Sequence, residues 1–342
     1  MRIQVYGAGI SGSFFYFLLG RDFEVGIKDV RSSPDCGCAW GTVYSEASAL
    51  YQMIGINFDE YVLVKPEVVI INGIGFRNVE IVTFDRKSLL KDIWREINFG
   101  ETKADLIVDA TGCERAFLPR IKNDELYSTI QFLERHKIEE NLFIYMRRTG
   151  YAWAFPLGDH LWHVGAGEKS PARALELLQI FREKYGFKEK NKVCSCMGKV
   201  RLLPPSECKP FLDGNIVGVG EAIGCVSGFG EGNVPSLRSA KILYECLKEN
   251  RLNEYENRII EEFKWIENEH KLVKQIMPVI NKVKDIDVSG FSNPKSQDTV
   301  LHATKSKKRK KSDIKSPAHS DMLNDTDNVF HNDDINKENN NG

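Results

Sequence analysis

Three glycines at Gly7, Gly9 and Gly12, in the run Gly7-Ala8-Gly9-Ile10-Ser11-Gly12, are followed 17 residues later by an acid, Asp29. That spacing suits a dinucleotide. Gly7 permits a tight turn after a strand, Gly9 lets the backbone approach a pyrophosphate, and Gly12 lets the next helix pack closely, its free N–H groups facing the phosphates. An acid closing the second strand then meets an adenosine ribose hydroxyl. A second candidate is the alternation Tyr151-Ala152-Trp153-Ala154-Phe155-Pro156. In extended backbone it sets three rings on one face, as a continuous aromatic wall or as an ordinary strand of a sheet core. A third is the pair Cys36 and Cys38, in a loop that also carries Trp40 and leads toward Tyr44.

The glycine pattern carries weight only between a strand and a helix, and the chain supplies both. Met1 to Tyr6 reads as a strand, Ser13 to Leu19 as a helix with Gly20 as C-cap, and Phe23 to Ile27 as the second strand. Tyr61 to Phe84 alternates strand-like runs with glycine turns, a β-meander inserted between the halves of the nucleotide domain. Leu89, Leu90, Ile93, Trp94 and Ile97 recur at helical spacing after Asp85-Arg86-Lys87, and Ala104 to Gly112 reads as a buried parallel strand. A second region follows, with strands at Asn141 to Met146 and His160 to Val164 and an amphipathic helix at Pro171 to Tyr185. Asn215 to Val219 then returns to the first sheet, ahead of Gly220-Glu221-Ala222, a glycine-rich stretch to Gly232, and a helix from Pro235 to Leu247. The expected organisation is a discontinuous nucleotide domain over 1–118 and 212–250, an inserted β-rich substrate region over 119–211, C-terminal helices over 251–284 and a tail over 285–342. The tail has almost no apolar content and is expected to be disordered, because it cannot bury enough surface to offset its ordering entropy.

Composition narrows the function classes. The chain has 342 residues, 42% hydrophobic and 28% charged, with a net charge of −1, which gives no global pull toward nucleic acid. No apolar run is long enough for a transmembrane helix, and no signal-peptide pattern precedes Gly7, so a cytoplasmic protein is expected. The eight cysteines include two Cys-x-Cys pairs, Cys36 with Cys38 and Cys194 with Cys196. Their spacing is not the Cys-x-x-Cys of zinc or dithiol centres, and they read as reduced structural thiols with no metal. Within the tail, Lys305 to Lys311 holds six cations that could grip anionic lipid, nucleic acid or nothing.

Taken together, these segments resemble the FAD-dependent geranylgeranyl reductase family, within the p-hydroxybenzoate hydroxylase-type group of flavoproteins, over most of residues 1–250. The resemblance implies a Rossmann-like, α/β FAD-binding fold. It assigns Gly7, Gly9, Ser11, Gly12 and Asp29 to the ADP moiety of FAD, and Arg86 to a place beside the cofactor. Gly112 joins them at the turn after the parallel strand. Gly220 and Glu221 match the Gly-Asp-Ala segment whose acid binds the ribityl chain, with Gly230 and Gly232 in the glycine loop near the isoalloxazine. Tyr151, Trp153 and Phe155 are similar to the Tyr-x-Trp-x-Phe-Pro motif that lines the prenyl cavity. The Cys36 to Gly41 loop lies where the family carries a cysteine-containing, flavin-facing loop. The chain departs in having Glu221 for Asp, in Asp109-Ala110-Thr111-Gly112 for the Asp-Gly ending of hydroxylases, and in its shorter ordered part.

The reading that results is an FAD-dependent oxidoreductase that reduces carbon–carbon double bonds of isoprenoid chains in lipid biosynthesis. Such chemistry needs a hydride donor, a proton source and an apolar slot that excludes water. Cys36, Cys38 and Tyr44 are the candidate proton donors, beside a flavin-associated water. The implied partners are a prenyl-lipid substrate, an electron donor that is NAD(P)H or a reduced carrier protein, and a peripheral contact with the inner face of a membrane. The rivals are a flavin-dependent hydroxylase, halogenase or lycopene-cyclase-like enzyme, and a catalytically silent nucleotide-binding module.

Overall fold

The first strand–turn–helix–strand unit forms where its residue pattern requires it: β1 (Arg2–Tyr6), α1 (Ile10–Leu19) and β2 (Glu24–Lys28). Five short strands and two helices follow, β3 (Gly41–Val43), α2 (Tyr44–Gln52), β4 (Val62–Val64), β5 (Val68–Ile71), β6 (Ile74–Arg77), β7 (Ile81–Phe84) and α3 (Arg86–Arg95). At the head of α3 the Asp85 carboxylate accepts the Ser88 N–H at 2.9 Å, capping one of the helix's open donors. Next come β8 (Leu106–Asp109), β9 (Leu126–Arg135), β10 (Leu142–Met146), β11 (Tyr151–Pro156) and β12 (Leu161–Glu168). α4 (Pro171–Tyr185) starts at a Ser170 cap with proline in its first turn, and stops at Gly186 in the left-handed region, φ 78°. The chain continues through β13 (Lys192–Arg201), β14 (Leu212–Asp213), β15 (Ile216–Gly218), α5 (Asn233–Lys248), α6 (Tyr255–Glu262) and α7 (Lys264–Ile280).

This computed structural model describes residues 1–34, 41–147, 149–188 and 192–280. Cys36, Cys38 and the tail with its Lys305–Lys311 cluster therefore lie outside the described residues. Met1–Ser292 make one compact unit, and Asn293–Gly342, a second, falls entirely outside that description.

The strands assort into three sheets. The first has the order β14-β15-β8-β1-β2, with β2, β1, β8 and β15 parallel. The second has the order β13-β9-β12-β11-β10-β5-β6, and the third is β3-β7-β4. The expected meander over 61–84 thus does not exist as one unit. Val68 to Arg77 leaves it as a hairpin and joins the second sheet, where β5 pairs in parallel with β10. The second sheet accordingly draws on residues ahead of the expected insertion at 119–211.

Two cores correspond to the two large sheets. Phe14, Phe15 and Leu18 of α1 are fully buried with Leu237 and Leu243 of α5 and Val5 and Val108 of the parallel strands. Each such side chain contributes about 1.5–3 kcal/mol by its burial. On the second sheet, Leu177, Leu178 and Phe181 of α4 cover Ile130, Trp162 and Val164. Arg182 of α4 is locked onto the same face, donating at 2.9 Å to Glu134, which also meets His136 at 2.8 Å. With α4 on this face, the opposite face of β11 carries Tyr151, Trp153 and Phe155.

Candidate functional site

The glycines behave as their spacing requires. Gly7 has φ 97°, and a Cβ there would stand 2.3 Å from the Ala110 carbonyl oxygen; one on Gly12 would stand 1.8 Å from the Gly7 oxygen. Neither position tolerates a side chain. Gly9 differs, since a Cβ built there meets nothing within 4 Å. The turn is therefore closed against the protein at its ends and open at its centre, where the N-terminus of α1 faces outward. That shape fits a pyrophosphate. Ser11, in the first turn of α1, packs against Gly220: a Cβ on Gly220 would lie 2.8 Å from the Ser11 Oγ. The first glycine turn and the segment after β15 thus converge, although more than 200 residues separate them.

Asp29 is less available than its position at the end of β2 predicts. Its carboxylate accepts the Ala8 N–H at 2.7 Å and the Arg31 N–H at 2.9 Å, and the Arg31 guanidinium forks onto both oxygens at 2.9 and 2.8 Å. Burial acts to raise its pKa, but the Arg31 and Ala8 hydrogen bonds outweigh it and hold the carboxyl below its ordinary value. The acid fixes the turn, and Arg31 stands between it and solvent. Arg31 was not anticipated, because nothing in its sequence context separates it from a solvated loop cation.

Arg86 is buried at the first turn of α3, close enough for its charge to be felt at Glu221. Glu221 lies across the turn after β8. Its Oε1 accepts the Arg201 N–H at 2.6 Å, and its Oε2 is the nearest atom to a Cβ built on Gly112, at 3.7 Å. The Arg201 guanidinium in turn pairs with Asp124 at 2.8 Å and donates to the Cys113 carbonyl at 2.7 Å. Burial pushes the Glu221 carboxyl up to about 7 against the pull of Arg201. Asp109 is wholly a structural group: it accepts from the N–H groups of Thr111, Phe117 and Leu118 and from the Thr111 hydroxyl.

The aromatic residues form the wall that their alternation predicts. Ring centroids of Tyr151 and Trp153 are 5.4 Å apart, and those of Trp153 and Phe155 6.4 Å apart, with interplanar angles of 35° and 33°. Glycines of β12 let the rings lie down on the sheet: a Cβ on Gly165 would stand 2.4 Å from the Trp153 ring, and one on Gly167 3.5 Å from Tyr151. Trp153 is only 2% exposed, whereas Tyr151 and Phe155 are half-buried. The two outer rings therefore present the surface, and the indole backs them. Tyr151 also touches Gly230, whose Cβ would lie 2.5 Å from the Tyr151 hydroxyl, and Phe155 lies 3.2 Å from a Cβ on Gly41. The wall spans from the glycine loop before α5 to the start of β3.

Of the three candidate proton donors, two lie outside the described residues. The third, Tyr44, gives its hydroxyl to Asp59 Oδ1 at 2.5 Å, and that hydrogen bond raises its pKa. Gly232 stands at the N-cap of α5, and there the structure adds a group that sequence reasoning left inside a glycine loop. Glu231 Oε1 accepts the Asn233 N–H at 3.0 Å, the Val234 N–H at 3.1 Å and the Thr42 hydroxyl at 3.1 Å. Burial raises its carboxyl to about 7 although all three bonds favour the charged form. The signal was present in the sequence as an acid between two glycines just ahead of a helix.

No protein-family model matches the chain. An uncharacterized protein of Methanocaldococcus jannaschii is 28% identical over 340 residues, covering 80% of this chain and 92% of that protein. Among solved structures, a geranylgeranyl bacteriochlorophyll reductase-like protein of Thermoplasma acidophilum superposes with a TM-score of 0.66 at 17% identity, over 81% of this chain and 86% of that one. PqsL of Pseudomonas aeruginosa, a probable FAD-dependent monooxygenase, gives 0.60 at 15% identity over 82% and 99%. HpxO of Klebsiella pneumoniae, solved with FAD and uric acid, gives 0.58 at 13% identity over 83% and 90%. The chain has the fold of these flavoproteins, the α/β architecture that the sequence resemblance implied.

Proposed function

We propose that this chain binds FAD and uses it to reduce carbon–carbon double bonds in isoprenoid chains. The fold shared with flavoproteins supports the cofactor, and so does the cradle of Gly7, Gly9 and Gly12 with its open centre. Gly7, Gly9, Ser11 and Gly12 would hold the pyrophosphate, and Arg86, Gly112, Gly220 and Glu221 would line the segment beyond it. When bound, FAD supplies the hydride. The chain's own part is to hold the substrate, exclude water and provide a proton.

The observation that carries the reading is the seat of Tyr151 on Gly230, which sets a three-ring wall directly against the loop ahead of α5. A surface of three adjacent aromatic rings suits an extended apolar chain, whose burial contributes about 0.8 kcal/mol per methylene. The neighbours that carry monooxygenase names favour a second reading, in which the same site activates oxygen. Anaerobic incubation of the chemically reduced protein with geranylgeranyl lipids separates the two. Saturated product, heavier by two hydrogens per double bond, is expected; flavin that stays reduced until oxygen enters moves the assignment to the second reading. A colourless preparation that cannot be reconstituted with FAD removes both.

A prenyl-lipid substrate also motivates a membrane contact, for which the Lys305–Lys311 cluster supplies about 1 kcal/mol per cation near an anionic surface. Among the described residues no helix is long and apolar enough to cross a membrane. Truncation after Asp285 is expected to lower vesicle binding in a salt-sensitive way while sparing turnover of a short soluble substrate.

A further inference from the structure

The reduction of an alkene needs a proton as well as a hydride, and the head of α5 places a carboxyl group close to the aromatic wall. Glu231 stands between two contacts with the aromatic wall. Its neighbour Gly230 lies against Tyr151, and it accepts from Thr42, whose neighbour Gly41 lies against Phe155. Three donors from two elements converge on one oxygen, Oε1: the Asn233 and Val234 N–H groups of α5 and the Thr42 hydroxyl of β3. Among the described residues Oε2 makes no hydrogen bond. This asymmetry matters chemically. A proton can sit on Oε2 without any of the three bonds being broken, so the carboxyl passes between acid and base with its position unchanged.

We propose that Glu231 is the proton donor of this site, carrying its proton on Oε2 and delivering it to the chain that lies along Tyr151 and Phe155. The inference rests on the function proposed above. In the step, the Oε2–H bond breaks as a C–H bond forms at one alkene carbon, and the adjacent carbon takes a hydride from reduced flavin. The alkene is reduced, the flavin is oxidised, and the carboxylate regains its proton from solvent.

The surroundings leave this group titratable near neutrality. Burial raises its pKa to about 7, the Thr42, Asn233 and Val234 donors oppose that rise, and the charge of Glu46 on α2 adds to it. Glu46 is itself paired with Arg238 of α5 at 2.6 Å. The loop side presents Ser227, whose Oγ accepts the Glu231 N–H at 3.2 Å, and Glu269 of α7, whose carboxylate accepts from Gly228. A half-protonated acid at working pH is what general acid catalysis favours.

The test compares wild type with Glu231→Gln, whose amide keeps an oxygen for the three donors. Infrared titration of the protein without flavin should show protonated carboxyl absorbance that fades around pH 7 from Glu221 and Glu231 together, of which the variant keeps only the Glu221 part. In the FAD-loaded, chemically reduced protein, anaerobic reoxidation by a prenyl lipid should slow above pH 7 in wild type. In the variant it should be about 10²–10⁴-fold slower and flat with pH, while FAD affinity and dithionite reduction stay within a factor of two. Identical infrared titrations, or an unchanged rate and pH profile in the variant, overturn the proposal. Failure of wild type to bind FAD overturns the function itself and the donor role with it, whereas FAD binding with an unchanged rate in the variant overturns the donor role alone.

Discussion

The Tyr151 hydroxyl and Gly230 are in such close contact that a single added carbon on the glycine would lie 2.5 Å from the oxygen. One residue belongs to the second sheet and the other to the loop that follows the first. Gly230 also sits at φ 86°, where a Cβ costs about 1–3 kcal/mol by itself. Gly230→Ala should therefore lower stability and displace the ring, and Tyr151→Ala should relieve the displacement. Thermal unfolding of the two single variants and the double variant checks this: the double is expected to lose clearly less than the sum, whereas additive losses would mean that the two residues do not press on each other.

Gly9 and Gly7 predict opposite phenotypes although they are two residues apart. Gly9→Val meets no protein atom within 4 Å of its Cβ, so the fold should survive while the added bulk fills the space for a pyrophosphate. Gly7→Ala drives a Cβ into the Ala110 carbonyl and should fail to fold. Circular dichroism and the flavin absorbance of each purified variant decide the matter. A folded Gly9→Val protein with a full complement of flavin would place the dinucleotide elsewhere.

For the aromatic wall, the buried indole and the outer rings need different substitutions. Trp153→Ala should cost about 3–5 kcal/mol through the cavity it leaves, which obscures any effect on substrate. Phe155→Ala trims a half-buried ring, and its effect should grow with substrate length because the ring is proposed to contact the chain. The ratio of kcat/KM for a long to a short prenyl substrate is expected to fall at least tenfold. A loss that is equal for both lengths would make Phe155 a packing residue.

The two half-buried acids predict how stability varies with pH. Glu231 has a folded pKa of about 7 against an ordinary value of 4.5, so the native state binds more protons than the unfolded chain between those limits. Stability contributed in this way is complete below about pH 4.5 and is lost as pH rises to about 7, up to about 3 kcal/mol for the one group. The same sign applies to Glu221. Urea unfolding at pH 5 and pH 8 should show Glu231→Gln gaining on wild type at the higher pH. A constant difference would mean that the acid titrates at its ordinary value.

How much of this was legible depends on whether the local pattern and the tertiary role agreed. The glycine turn, α3 with its apolar stripe, and α4 between Ser170 and Gly186 lie close to where periodicity and capping put them. β9 and β13 were invisible as strands, and each is ten residues long. Lys192–Arg201 is an edge strand with most residues exposed, so burial imposes no apolar alternation on it. Val68 to Arg77 was legible only as part of a strand-rich meander, because its partner β10 lies more than 60 residues on and nothing local specifies a pairing at that distance. At the site, the wall was legible because period-two aromatics leave few alternatives. The occupation of Asp29 by Arg31 and the seat of Glu231 were not, because hydrogen-bond partners are chosen by tertiary approach.

The first sheet is assembled out of chain order: β15 pairs with β8, which pairs with β1, and β15 begins only at Ile216. At about 5–20 residues per second, a ribosome makes β1 roughly 10–40 s before that strand exists. For the latter half of that interval, once Asp109 has been made, β8 has β1 on one side and an open edge on the other, with Leu106 and Val108 among its apolar residues. Such an edge is a template for any extended segment nearby. A nascent chain paused before Ile216 thus offers other chains a pairing site that the finished protein closes with its own strand.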